Sequence, residues 1–148
     1  MRRSLCLLAL FVLAVPSQHA AAQARQAGRS ADVRDTLPER VVQRTFNAFI
    51  RQGNDGAYAN FDTVFMHEYL GDPAGAKRVR REDWLRQLNS DTAAVRLLKA
   101  AHVEVVRQDV FGPFVNVVWV LRRPDGKKTK HFELMEVRHG KIVREIES

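Results

Sequence analysis

The sequence predicts an α+β domain in which helices come first and an antiparallel β-sheet follows. Between residues 36 and 98, apolar side chains recur at helical spacing in several segments. From residue 102 onward, four apolar or alternating runs are separated by short turn segments. Helices followed by a meander of strands are typical of α+β folds. The 148 residues are enough for one such domain.

Residues 1–24 have the order of a secretory signal peptide. Two arginines precede an unbroken apolar run over residues 5–15, and small residues follow it. The small-residue pattern allows cleavage after Ala22 or after Ala24. The apolar run is too short to span a bilayer. We therefore expect an exported protein, periplasmic or extracellular, without a stable membrane anchor.

The composition excludes some classes of binding site and partner from our expectations. The only cysteine, Cys6, lies inside the predicted signal, so disulfides and thiolate metal sites are not expected in the mature chain. The formal net charge of +7 is spread along the sequence and names no partner. Basic and aromatic residues do not interleave as they do on nucleic-acid-binding surfaces, so no nucleic-acid partner is expected.

Ordered structure is expected to begin near Thr36. Residues 25–35 are small, polar and charged, which is typical of a flexible tether, and the domain is predicted over residues 36–148. Thr36 and Glu39 match a capping box that opens a helix over residues 37–52. Gly53 is expected to end this helix.

A second, short helix is predicted to follow, capped by Asn54 or Asp55 and extending to Phe61. Residues 64–70 are predicted to be extended, and a glycine-rich turn over residues 71–75 ends them.

A third helix is predicted over residues 81–89, and the pattern leaves open whether it continues to Leu98. A dense basic cluster precedes it. We interpret this cluster as a solvated loop, with an anion-binding site as the alternative. Its members are Lys77, Arg78, Arg80 and Arg81.

Four strands are predicted in the last part of the chain. Asp125-Gly126 and His139-Gly140 fall in gaps of hairpin size between the last three of them. The predicted strands cover residues 102–107, 114–121, 128–137 and 141–147.

This order of elements resembles the nuclear transport factor 2-like superfamily, in its SnoaL-like and ketosteroid isomerase-like branch. The likeness is carried by residues 41–44 on the first helix, 53–56 entering the second, 75–84 leading into the third, and 131–134 with 140–143 in the final hairpin. The resemblance implies a cone of three N-terminal helices packed in a curved antiparallel sheet. It also implies an apolar pocket at the mouth of the cone and a homodimer.

The same resemblance guides the choice of catalytic candidates. Ketosteroid isomerases carry a Tyr and an Asp where this chain has Thr45 and Lys130, so their oxyanion-binding pair is not expected here. The family's base falls near His67 and Glu68, either of which could move a proton. Lys130 would stabilise negative charge if it pointed inward. The catalytic candidates are therefore His67, Glu68 and Lys130, each with a core or surface role as the alternative.

Four further residues are candidates for ligand binding. Tyr58 and Trp84 would shape an apolar wall, Asn116 would orient a ligand through its amide, and Phe132 shares the strand face of Lys130. No spacing typical of metal ligands occurs, so neither a metal nor a cofactor is expected.

The resulting prediction is an exported domain that binds a small, mostly apolar molecule in its cone. Catalysis of isomerisation, dehydration or cyclisation by proton transfer without a cofactor is the chemistry that the resemblance implies. The alternative is a non-catalytic homodimeric interaction or ligand-binding module of the cell envelope.

Overall fold

The computed structural model describes residues 35–148. The predicted signal peptide and nearly all of the predicted tether lie outside the described residues. Within residues 35–148, no helix combines the length and the apolar character that crossing a membrane requires.

The long first helix, α1, runs over Pro38–Gln52 and confirms the predicted helix. It buries Val41, Val42 and Phe46 against the sheet, and Gly53 ends it with a positive φ of 67°. The predicted capping box is wrong in detail, because Leu37 rather than Thr36 occupies the cap position. The Leu37 carbonyl accepts the first backbone hydrogen bond of the helix, from the N–H of Val41 at 3.0 Å.

The short second helix, α2, covers Asn54–Tyr58 and packs closely on α1. A Cβ atom at Gly56 would lie 2.4 Å from the carbonyl oxygen of Ala48, so only glycine fits at this crossing. The helix ends before Phe61, contrary to the sequence expectation, because Phe61 pairs with Ile142 in the sheet.

The third predicted helix is two helices, α3 over Arg81–Ser90 and α4 over Thr92–Ala100. The break falls at Asp91, whose carboxylate accepts hydrogen bonds from the N–H groups of Ala93 and Ala94. The described part of the chain therefore has four helices where three were expected.

The chain forms six strands: β1 Phe61–Tyr69, β2 Lys77–Arg80, β3 His102–Phe111, β4 Phe114–Arg122, β5 Lys128–Arg138 and β6 Lys141–Glu147. They form a single sheet in the order β2-β1-β6-β5-β4-β3. All neighbours are antiparallel except β1 and β6, which are parallel. Irregularities in register within β1, β3 and the β5–β6 pair accompany the curvature of the sheet. The α+β prediction is thus confirmed.

Three members of the basic cluster, Lys77, Arg78 and Arg80, lie on the edge strand β2 and not in the loop that the sequence suggested, and the fourth, Arg81, begins α3. In β2, Val79 lies opposite Phe65 of β1 and packs against the core. Several of its charges have local partners, since Lys77 pairs with Asp72 and Arg80 pairs with Asp83. Short, charged edge strands resist further strand pairing.

The core lies between the concave face of the sheet and α1, α2 and α3. We call this concave face the inner face and the opposite one the outer face. Aromatic side chains dominate the core, and rings from α1, α2 and β1 contact one another or Trp119 at centroid distances of 4.4–6.1 Å.

Candidate functional site

A cavity of about 420 Å³ lies between the inner face and helices α1 and α2. Its walls are mainly apolar, and its volume suits a small organic molecule. The curved sheet therefore surrounds space that side chains do not fill. Seven phenylalanine, tyrosine and tryptophan side chains line it, those of Phe46, Phe49, Tyr58, Phe61, Tyr69, Trp119 and Phe132.

Three glutamates from the two central strands line this cavity: Glu133 on β5, and Glu145 and Glu147 on β6. Residues two apart on a strand share a face, and Glu133 lies directly opposite Glu147 in the strand pairing. The three carboxyl groups are therefore brought together by backbone register. Glu133 is 9% exposed and Glu145 is 3% exposed, so two of the three carboxyl groups are buried.

Neutral donors, and not cations, contact the two buried carboxyl groups. The Trp119 indole N–H donates a hydrogen bond to Glu133 at 2.6 Å, and the Tyr58 hydroxyl donates one to Glu145 at 3.1 Å. Among the described residues that line the cavity, none is a lysine or an arginine. The cavity is thus an acidic, aromatic environment in a chain whose net charge is positive.

Burial changes the acidity of these groups. Burial raises the pKa of Glu133 to about 8, and the nearby charge of Glu147 adds to the increase, while the Trp119 hydrogen bond opposes it. The pKa of Glu145 is raised well above its usual range for the same first cause, with the charges of Glu147 and Glu133 adding to it. Glu133 therefore holds a proton near neutral pH, and ionisation of Glu145 is less favourable than that of an ordinary glutamate.

His67 lies beside the glutamates and is 4% exposed. Its Nε2 atom is 3.9 Å from Glu145 Oε2 and 3.7 Å from Glu147 Oε1, and it has no hydrogen-bond partner in the described part of the chain. The Trp84 ring packs against the imidazole at a centroid distance of 4.2 Å. The His67 nitrogen therefore has unused hydrogen-bonding capacity, and so does Nε2 of His131, which lines the cavity.

His67, Glu145 and Glu147 also form the kind of set that can hold a metal ion, because one ligand atom from each lies within 4.8 Å of the others. Ligands of one ion sit about 2.1 Å from it and hence about 3–3.4 Å from each other. The two distances from His67 are longer than that, so metal binding would require the side chains to move closer together.

Three of the seven predicted site residues line the cavity or lie beside it, and a fourth packs behind one of them. Tyr58 lines the cavity, Phe132 lies at its rim, and His67 belongs to the polar cluster. Trp84 is buried behind His67 and does not line the cavity.

The other three predicted residues lie on the outer face. Glu68 accepts a hydrogen bond from Arg144 at 2.8 Å. Lys130 is exposed, with its Nζ atom 5.0 Å from the centre of the Phe132 ring. Asn116 lies opposite Leu134 on the same outer face. The expected convergence of Lys130, His67 and Glu68 at the cavity does not occur in this structure.

A second cavity, of about 480 Å³, lies between the end of α1, α4 and β3. Its titratable side chains are all exposed, so it lacks the buried acid groups of the first cavity. These side chains are Arg51, Asp55, Lys99 and His102.

The fold has close counterparts among solved structures. No protein-family model and no curated protein matches the chain. An NTF2-like protein of unknown function from Burkholderia xenovorans LB400 has a TM-score of 0.58 at 20% identity, over 81% of this chain and 84% of that one. An NTF2-like protein of unknown function from Cytophaga hutchinsonii ATCC 33406 has a TM-score of 0.55 at 13% identity, over 76% and 88%.

A protein with a ketosteroid isomerase-like fold from Catenulispora acidiphila DSM 44928, solved in complex with trimethylamine, is also similar. Its TM-score is 0.53 at 14% identity, over 73% of this chain and 83% of that one. These likenesses establish an NTF2-like cone and confirm the fold that the sequence predicted. At such low identities they establish the fold alone.

Proposed function

We propose that the cone binds a small, mostly apolar molecule and moves a proton on it, with Glu133 as the group that gives and takes the proton. The observation that carries this proposal is a titratable carboxyl group in the wall of an apolar cavity, with a pKa of about 8. General acid–base catalysis is most effective when the pKa of the group lies near the working pH. Glu133 meets this condition, whereas an ordinary glutamate does not.

The surroundings of Glu133 support the same role. The Trp119 N–H fixes the orientation of the carboxyl group by a 2.6 Å hydrogen bond. The aromatic walls exclude water from a bound guest, which strengthens polar interactions at the reacting atoms. In its ionised form Glu133 removes a proton from a carbon next to an electron-withdrawing group, and it returns that proton to another carbon of the same molecule.

This proposal keeps the predicted reaction class but changes the residues. His67 stays in the site as a neighbour of Glu145 and Glu147. The outer-face residues Glu68 and Lys130 have no role in it. That one structural neighbour holds trimethylamine, a molecule of a few heavy atoms, is consistent with a cone that admits small guests.

Isomerisation of 3-cyclohexen-1-one to 2-cyclohexen-1-one tests the proposal, because it moves one proton within a small apolar ketone. We expect a rate above that of buffer, rising with pH to a plateau above about pH 8, where Glu133 is ionised. Glu133→Gln should reduce the rate about a hundredfold or more. The matched control is Glu136→Gln on the outer face of the same strand. A rate equal to that of buffer, or equal in the wild type and Glu133→Gln, would contradict the proposal.

A further inference from the structure

The charges of the cavity are opposite to those of the chain. The formal net charge is +7, yet the ionisable side chains lining the cavity include three glutamates and no lysine or arginine among the described residues. Cationic groups of β5 and β6 lie instead on the outer face, as Arg144 and Arg138 show by pairing with Glu68 and Glu136. Within the described residues, the lining therefore offers no lysine or arginine to an anionic guest.

The polar cluster of the cavity is incomplete without a positively charged partner. Glu145 and Glu147 lie near one another with His67 Nε2 at 3.9 and 3.7 Å from them. That nitrogen is buried and has no hydrogen-bond partner within residues 35–148. Buried polar atoms normally have such partners. A guest with an N–H donor would supply one to the imidazole and a charge to the carboxylates.

The aromatic walls favour an organic cation over a bare metal ion. Rings within reach of a positive charge attract it through their negative faces, and Trp and Tyr do so most strongly. Tyr58, Tyr69 and Trp119 all line the cavity. The faces of such rings offer no ligand atoms to a divalent metal, and the distances from His67 to the two carboxylates exceed those around a single ion.

We infer that the guest of the cone is a small organic cation, a protonated amine with apolar substituents, whose nitrogen lies between Glu145, Glu147 and His67. This inference rests on the proposed function, since it names the class of molecule on which Glu133 acts. It assigns different tasks to neighbouring glutamates: Glu145 and Glu147 hold the charge, and Glu133 moves the proton.

Proton release should accompany binding. The pKa of Glu145 is raised by burial and by its acidic neighbours, so the protonated form is favoured when no cation is present. A bound ammonium favours the ionised carboxylate and displaces that proton. The ionisable groups that face the cluster from the packed elements are Tyr58 on α2, His67 and Tyr69 on β1, His131 and Glu133 on β5, and Glu147 on β6; α1 contributes none to the lining.

A pair of probes of the same shape tests the inference in the whole chain. N,N-dimethylbenzylamine is protonated near neutral pH, and isobutylbenzene has a carbon in place of its nitrogen. Binding to chelator-treated protein is followed by tryptophan fluorescence, because Trp119 lines the cavity. We expect the amine to bind about tenfold or more tightly than the hydrocarbon, and its affinity to increase as the pH rises, because the neighbouring carboxyl groups lose their protons.

Two variants test which residues cause the preference for the amine over the hydrocarbon. Glu145→Gln should remove most of the tenfold difference while isobutylbenzene still binds, whereas Glu68→Gln, on the outer face of β1, should leave the difference intact. Equal binding of the two probes by the wild type would overturn the inference and leave the proposed function standing. Binding of neither probe would overturn both. Tight binding of Zn²⁺ or Mn²⁺ that Glu145→Gln abolishes, without amine binding, would show a metal site in place of the amine site.

Discussion

Glutamates on the two faces of the sheet have opposite kinds of partner. On the outer face, Glu68 and Glu136 pair with guanidinium groups, of Arg144 and Arg138 respectively. On the inner face, Glu133 has an indole N–H as its hydrogen-bond partner, and burial raises its pKa to about 8. Since strand alternation alone separates these positions, the neighbours of each glutamate decide its chemistry.

The comparison also explains why the inner glutamates reduce stability at high pH. A buried carboxyl group without a cation nearby is costly to ionise. An arginine on the inner face would have removed that cost, but it would also have filled the cavity and neutralised the acid. Arg138 and Arg144 lie on the outer face instead, and the described residues that line the cavity include no lysine or arginine, so the acid inside keeps its raised pKa.

The largest expected effect concerns packing, and it compares an aromatic residue buried in the core with one that is half-exposed at the rim of the cavity. Phe61→Ala should lower the free energy of unfolding by about 3–5 kcal/mol, because its ring is 1% exposed and contacts Tyr58 and Phe65. Phe132→Ala should cost about 1 kcal/mol or less, since Phe132 is 44% exposed. Urea denaturation of both variants measures the difference. Equal losses would mean that the inner face does not form the core.

The next effect is the pH dependence of stability. The folded-state pKa of Glu133 and of Glu145 is raised above the unfolded value of about 4.5. The folded protein therefore keeps protons that the unfolded chain loses, and stability falls as the pH rises from about 4.5 to about 8. We expect a loss on the order of a few kcal/mol.

Glu133→Gln should flatten part of this pH profile, because glutamine has no proton to lose. The outer-face variant Glu136→Gln is the control for strand position. Urea denaturation at a series of pH values provides the measurement. A wild-type stability that increased across this pH range would show that the inner carboxyl groups have cationic partners after all.

A smaller effect isolates the indole hydrogen bond. Trp119→Phe removes the N–H that favours the ionised form of Glu133, so the pKa of Glu133 should move above about 8. The stability cost should be about 1–3 kcal/mol, from the lost hydrogen bond and the smaller ring. Carbon-13 NMR titration of the Glu133 carboxyl group measures the shift. A downward shift would contradict the assigned role of Trp119.

The smallest effect belongs to the outer face. Glu68→Gln removes a partly exposed ion pair with Arg144 and should change the free energy of unfolding by about 1 kcal/mol or less. Thermal unfolding at low and high salt measures it, with Glu145→Gln as the inner-face counterpart. If Glu68→Gln lowered the free energy of unfolding by several kcal/mol, the outer-face ion pair would matter for stability far more than an exposed pair should, which would contradict the difference proposed between the two faces.

Much of the fold could be predicted from the sequence, because α1 and the four later strands have strong local patterns. The short strand β2 was not predicted, since its four residues include three cations and its pairing with β1 is not a local property. The break between α3 and α4 depends on Asp91, a residue type equally common in loops and at helix starts.

The site was harder to predict because strand alternation gives two faces without saying which is inside. On β5, strand alternation places Phe132 and Leu134 on one face and Met135 and Val137 on the other, so both faces are apolar in the sequence. Only pairing with β4, where Trp119 lies opposite His131, decides the matter. Glutamates are mostly exposed in proteins, which also favours a surface interpretation of Glu145.

The central position of β6 has a consequence for biosynthesis. This strand is translated after every other described element, yet it lies between β1 and β5 and supplies two of the three cavity glutamates. A ribosome-bound chain that has not yet released residues 141–147 can form the hairpins of β3, β4 and β5, but it cannot join them to β1. The acid cluster is therefore incomplete, and a nascent chain cannot hold a guest there, until residues 141–147 have left the ribosome.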